Sequence, residues 1–313
     1  MDPRTVDALF EAFGRRKRLG KRRAQIEDPD FWRALNPQLT ISDGPLAPRV
    51  TPLEFPAVDA QWHADFMQEE GYLQTRPVFT EDEMAPLRAA VERVVADDLP
   101  SGMVWLYDEF YVLLARVESI LAPMLGRSPL LLPQDFWVFH VPAGAVGRTG
   151  FGAYGPHRDY YVDEGFVGGA RPSVVNTWIP LTDVTTLDSC MYVVHPEGDR
   201  DFRSTTEDVD PAGLNLTDIR ALPTPAGALI AFTSRVTHWG SRSSRFAAGP
   251  RIAMTCVLQR RDAPLFAREV IDLEQPLPWS RRLELVLDSV GDSGLERGPQ
   301  SETARAVDDE QAS

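Results

Sequence analysis

Apolar residues recur at helical spacing in the first half of the chain and in short continuous runs in the second. Met84, Leu87, Val91 and Val94 fall on one face of a helix that Thr80 and Glu83 open as a capping box. Pro86 lies inside that pattern and is expected to kink its first turns. A preceding helix is predicted over about residues 58–70, stopped by Gly71. A third is predicted over about 105–124, with Leu113, Leu114, Val117 and Leu121 on its buried side. From Phe136 the pattern changes, and residues 136–141, 227–232 and 252–258 are apolar runs of buried-strand length. Helices first and strands afterwards argue an α+β domain.

Length and charge narrow the reading. A chain of 313 residues can bury a full core, and it divides into an N-terminal extension (1–56), one catalytic domain (57–290) and a polar, acidic tail (291–313) expected to be disordered. In the extension, Arg15, Arg16, Lys17, Arg18, Lys21, Arg22 and Arg23 form a basic block, read as a solvated helix face that pairs with the protein's own acidic surface. Pro37, Pro45, Pro48, Pro52 and Pro56 then space out an extended connector. A net charge of −14 argues against nucleic acid or an anionic membrane as the main partner. No apolar run approaches the roughly 18 residues of a membrane span. The start MDPRTVDALF lacks a secretory pattern, and Cys190 and Cys256 sit in apolar runs as free thiols, so a reducing cytoplasm is expected.

Candidate chemistry concentrates in four residues. His157 and Asp159 are two apart, which in extended backbone puts both side chains on one face. His238 offers a third ligand, and Arg251 opens a strand-like run. Two histidines and one carboxylate form the facial triad of non-heme Fe(II) oxygenases, which leaves positions open for a chelating co-substrate and O2. If the chelator is a 2-oxo acid, its distal carboxylate needs a fixed cation, and Arg251 suits that role through paired hydrogen bonds. His140 is read as an interior hydrogen-bonded histidine, His63 as exposed, and His195 as a substitute ligand only in a cupin-like site that leaves Arg251 without a role.

With these residues in place, the chain over about 60–262 resembles the phytanoyl-CoA dioxygenase-like family of Fe(II)/2-oxoglutarate-dependent oxygenases. The stretch from Phe66 to Leu73 followed by Thr80 to Met84 is similar to the family's opening helix, short strand and second helix. VVNTWIPLTD (174–183) and SCMYVV (189–194) are similar to the strands that follow the metal triplet. The resemblance implies a double-stranded β-helix core with N-terminal helices packed on it. It also implies iron held by His157, Asp159 and His238, the 2-oxoglutarate 5-carboxylate held by Arg251, and Trp178 near the co-substrate. Ascorbate would serve as reductant in vitro. Two departures stand out. Val194-His195-Pro196-Glu197-Gly198-Asp199 replaces a Val-Pro-Gly-Ser-His turn, and Gly240-Ser241 only partly matches the residues after the second histidine. A carboxylate at Asp159 favours hydroxylation over halogenation, with desaturation or cyclisation using the same oxidant.

Five glycines between Pro142 and Pro156 form either a lid or a flexible connection. Arg148 within that stretch, Arg171 and Arg235 lie close in sequence to the triad; they are either ordinary surface residues or anion-binding groups, and the second reading gives a small anionic or zwitterionic metabolite as the expected substrate. Two competing readings are a recognition module of the same fold without catalysis, and a metal-dependent cupin-type enzyme that uses no 2-oxo acid. Succinate formation separates the first from an oxygenase, and metal-dependent turnover without a 2-oxo acid would identify the second.

Overall fold

The structure is a computed structural model that describes residues 22–145, 155–159, 165–167, 171–202, 209, 213–267 and 269–292. Arg15 to Lys21 of the basic block, most of the glycine-rich stretch with Arg148, and the tail from 293 lie outside the described residues.

Helices α1 (Arg23–Ile26) and α2 (Pro29–Leu35) precede α3 (Ala57–Glu70) and α4 (Glu81–Ala96). The sequence places the last two well. Gly71, at φ 79°, ends α3 by accepting the left-handed conformation that a side chain disfavours. Glu83 reaches back to the Thr80 backbone N–H at 2.7 Å, and Pro86 is accommodated inside α4. The helix expected over 105–124 is instead broken into a 3-10 turn (Ser101–Leu106), α5 (Asp108–Arg116) and α6 (Glu118–Leu125). Tyr107 is extended between the first two, because the buried Asp108 carboxylate is held by Arg49 and Arg282 and restarts the chain there. Leu113, Leu114, Val117 and Leu121 are all buried as their spacing predicts.

Among the described residues ten strands follow or interleave: β1 (Tyr72–Gln74), β2 (Leu130–Val141), β3 (Phe166–Val167), β4 (Arg171–Pro172), β5 (Val174–Pro180), β6 (Met191–Val194), β7 (Ile219–Leu222), β8 (Ile230–Phe232), β9 (His238–Gly240) and β10 (Arg251–Gln259). The major sheet has the order β1-β8-β5-β10-β2 and the minor sheet β7-β6-β9, with every pair antiparallel. Strand β2 starts at Leu130, earlier than the apolar run at 136 suggests, because a register shift opposite Cys256 absorbs Pro133, which has no N–H to give the ladder.

One face of the major sheet, with Ile179, Ile252, Met254 and Cys256, packs on the helices. The other, with Tyr72, Trp178, Ile230, Phe232 and Ala253, packs on Cys190, Met191, Val193 and Leu222 of the minor-sheet region. The chain is therefore a layered α+β domain of helices, major sheet and minor sheet. Described residues of the N-terminal segment join the same core: Trp32 and Leu46 are buried in the helix-facing cluster. Arg22 pairs with Asp97, and Arg23 with Glu27. Helix α7 (Trp279–Asp292) closes this side, where Arg282 reaches Asp108. Among the described residues no helix is long and apolar enough to cross a membrane.

Gly227 shows how tightly the loop into β8 is specified. Its φ is 76°, its N–H donates to the Pro180 carbonyl, and an added Cβ would stand 2.5 Å from the Phe79 carbonyl oxygen. Gly227→Ala is expected to lower stability by about 1–3 kcal/mol, the range for a side chain forced into left-handed backbone. An unchanged urea midpoint would show that the loop can relax.

Candidate metal centre

Strand β9 opens on His238, whose neighbour across β6 is Val193 on the inner face between the sheets. On its other side His238 pairs with His157: each N–H donates to the other residue's carbonyl, at 3.1 and 3.0 Å. Residues that exchange both bonds point their side chains to the same face. The two imidazoles consequently lie 4.4 Å apart between ring centres. Asp159, two residues on from His157, returns to that face. Its Oδ1 is 3.5 Å from His157 Nε2 and 3.6 Å from His238 Nε2. The three candidate donors all lie within 4.8 Å of one another.

The backbone also selects the tautomers. His157 Nδ1 is 2.8 Å from the Gly155 carbonyl, and His238 Nδ1 is 3.1 Å from that of Val236. An Nδ1–H donated to a carbonyl leaves Nε2 as the lone-pair nitrogen, the arrangement that orients a metal-binding histidine. Burial depresses the His238 pKa to about 4, against the opposing pull of Asp159, so this ring is neutral at pH 7. Burial also acts to lower His157, but the Asp159 hydrogen bond and charge outweigh it and raise its pKa. Phe232 stands 4.4 Å from the His238 ring and shields it from water on the major-sheet side.

Arg251 projects into the same inter-sheet space and is 4% exposed. Its Nη1 donates to the Ser189 carbonyl at 2.7 Å, while its Nε has no hydrogen-bond partner among the described residues. Phe139 and Trp178 flank the guanidinium at 5.2 and 5.9 Å. No carboxylate of the described residues pairs with it. Burial lowers its pKa to about 10, so it remains cationic at neutral pH.

The other sequence candidates are placed less centrally. Arg171 is exposed on β4. Arg235 stacks 3.7 Å over Phe166, and Arg148 lies outside the described residues. His140 pairs with Ile252 on the helix-facing side, away from the triad. His195 is not a substitute ligand: its Nε2 meets Glu70 at 3.2 Å and its Nδ1 accepts from the Glu197 N–H. His63, expected to be exposed, is half-buried between Phe55 and Trp62, which pack on its ring. Both cysteines are free and buried.

Two features carry no signal in the linear pattern. Asn176, on the inner face opposite Phe232, is buried, and its Nδ2 has no partner among the described residues. Arg158 and Asp199 form an ion pair at 2.7 Å whose side chains are 0% and 3% exposed.

No protein-family model matches the chain, and no curated protein sequence matches it. Among solved structures it is similar to AviO1 from Streptomyces viridochromogenes Tue57, at 15% identity over 67% of this chain and 99% of that one, with a TM-score of 0.51. It is similar to apo ThoJ, a non-heme monooxygenase, at 16% identity over 73% and 99% of the two chains, with a TM-score of 0.50. A weaker likeness, with a TM-score of 0.46 and 19% identity over 68% and 87%, is to SnoK, a non-heme alpha-ketoglutarate-dependent carbocyclase from nogalamycin biosynthesis. At these identities the likeness speaks for architecture: the chain shares the fold of AviO1 and ThoJ.

Proposed function

We propose that the protein is an Fe(II)/2-oxoglutarate-dependent oxygenase with a double-stranded β-helix core, acting on a C–H bond of a small metabolite in a reducing cytoplasm. The observation that carries this reading is the pairing of two features in one inter-sheet space. Three N/O donors converge there, and a buried arginine with no carboxylate partner among the described residues lies on the same inner face.

The donor chemistry fits the group. Two neutral imidazoles and one carboxylate suit iron(II), and donors about 2.0–2.2 Å from a common ion lie roughly 3–4 Å apart. His157, Asp159 and His238 would hold the metal, with Gly155 and Val236 fixing the imidazole orientation. Arg251 would take the distal carboxylate of 2-oxoglutarate. An unpaired buried guanidinium nitrogen is costly without an acceptor, and a carboxylate supplies one. With metal, co-substrate and O2 bound, the centre would supply an oxidant for C–H bonds, with succinate and CO2 as co-products. Phe232 and Trp178 would exclude water from the space between the metal and the arginine. Hydroxylation is the reading that Asp159 supports, and desaturation or cyclisation would use the same residues. Arg235 and Arg171, with Arg148, are proposed to favour an anionic or zwitterionic substrate. A 2-oxoglutarate turnover screen over a metabolite panel tests the reading, and product mass distinguishes oxygen gain from loss of two hydrogens. No succinate above the enzyme-free control with any substrate would overturn it.

Arg251→Gln keeps size and hydrogen bonding but removes the charge. The apparent KM for 2-oxoglutarate is expected to rise about thirty- to a thousandfold, with iron affinity nearly unchanged. Loss of iron with an unmoved KM would reassign the residue.

A further inference from the structure

Behind the converging donors lies a buried network on the opposite face of the same backbone. Arg158 stands between His157 and Asp159, and alternation in extended chain turns its side chain away from theirs. Its Nη2 is 2.7 Å from both Asp199 oxygens, and its Nε donates to the Arg235 carbonyl at 3.1 Å. Asp199 Oδ2 also accepts from Thr237 Oγ1 at 2.7 Å, and its Oδ1 from the Asp201 N–H at 3.0 Å. Thr237 immediately precedes His238. One buried carboxylate thereby ties the segment carrying His157 and Asp159 to the segment carrying His238. Asp199 comes from the turn after β6, the turn in which this chain departs from the family pattern.

We infer that the Arg158–Asp199 pair is a positioning device for the three metal ligands, an inference that rests on the metal-centre reading above. The backbone pair between His157 and His238 holds the two imidazoles together. The direction of the Asp159 carboxylate depends in addition on how the chain leaves His157, and the Arg158 fork fixes that exit. The planar guanidinium directs Nη2 to Asp199 and Nε to the Arg235 carbonyl, which sets orientation as well as distance, and an apolar pair of equal volume does not. The pair has an electrostatic role too. An arginine side chain beside a dication site would repel the metal, and Asp199 cancels its charge.

The test uses full-length metal-free protein with Mn(II) as the probe, its dissociation constant read from the EPR signal of free Mn(II), beside the metal-free melting temperature. Arg158→Lys keeps the charge and loses the fork. The double variant Arg158→Met, Asp199→Leu removes both charges and keeps the volume, an exchange that buried ion pairs commonly tolerate. Both are expected to melt near the parent and to bind Mn(II) about 10- to 100-fold more weakly, the range for partners that orient a ligand. A folded variant whose affinity stays within about twofold of the parent would overturn the inference, given that range. So would a loss of Mn(II) confined to variants without a metal-free melting transition, because the pair would then support only the fold. A parent that binds no Mn(II), or a His238→Ala control that binds as tightly as the parent, would instead remove the metal-centre reading and this inference with it.

Discussion

His238→Ala is expected to lose Fe(II) binding and all turnover while keeping the fold. In the proposed site the imidazole is one of three donors that converge among the described residues, so affinity should fall by more than about a hundredfold, beyond the range for groups that merely orient a ligand. Its backbone should survive the change. The pairing with His157 runs through main-chain N–H and carbonyl groups, and Val193 still flanks it in the minor sheet. Titration of the metal-free variant with Fe(II) under anaerobic conditions checks the first part, and its melting temperature the second. Affinity within about tenfold of the parent would exclude His238 from the ligand set.

Asp108→Ala is expected to give the largest loss of stability. Asp108 and Arg282 are both fully buried, and their ion pair joins α5 to α7. Arg282 also donates to the carbonyls of Leu106 and Ser42, each at 2.9 Å, so it fastens the N-terminal connector to the C-terminal helix. Arg49 and the Ser42 N–H also donate to the Asp108 carboxylate. Removing the carboxylate leaves a buried guanidinium without its counter-charge, a change that costs about 3–5 kcal/mol. Against a total of roughly 5–15 kcal/mol, that is a large fraction of the stability. Equilibrium unfolding in urea measures it. A loss below about 1 kcal/mol, the size of an exposed pair, would mean that water takes over the carboxylate's contacts with Arg282.

Features set by local chemistry were legible in the sequence. The capping box at Thr80, the glycine stop at Gly71 and the apolar run of β10 each depend on a few neighbouring residues, and each lies where its pattern predicts. The convergence of His157, Asp159 and His238 was legible for a different reason: the residue types and spacing fit few other purposes. What the linear pattern hides are long-range polar contacts. Arg158 reads as one more charge beside a motif, and Asp199 as part of an atypical turn, until folding buries them against each other. Asp108 falls inside a helical run, and nothing nearby in sequence shows that Arg282 will fix it and break that helix. Strand β2 extends back beyond the apolar run at 136–141 because a register shift absorbs Pro133, a residue that local pattern alone disfavours inside a strand. His63 read as exposed because its aromatic neighbours come partly from the connector, where Phe55 lies.

The claim that the triad and Arg251 form one co-substrate site is tested most directly without any primary substrate. Anaerobic protein is loaded with Fe(II) and titrated with 2-oxoglutarate, and the visible charge-transfer absorption of a chelated 2-oxo acid on iron(II) is followed. The parent should develop the band saturably, His238→Ala should not develop it, and Arg251→Gln should need about thirty- to a thousandfold more 2-oxoglutarate. A parent without the band, or a band unchanged in both variants, would contradict the account.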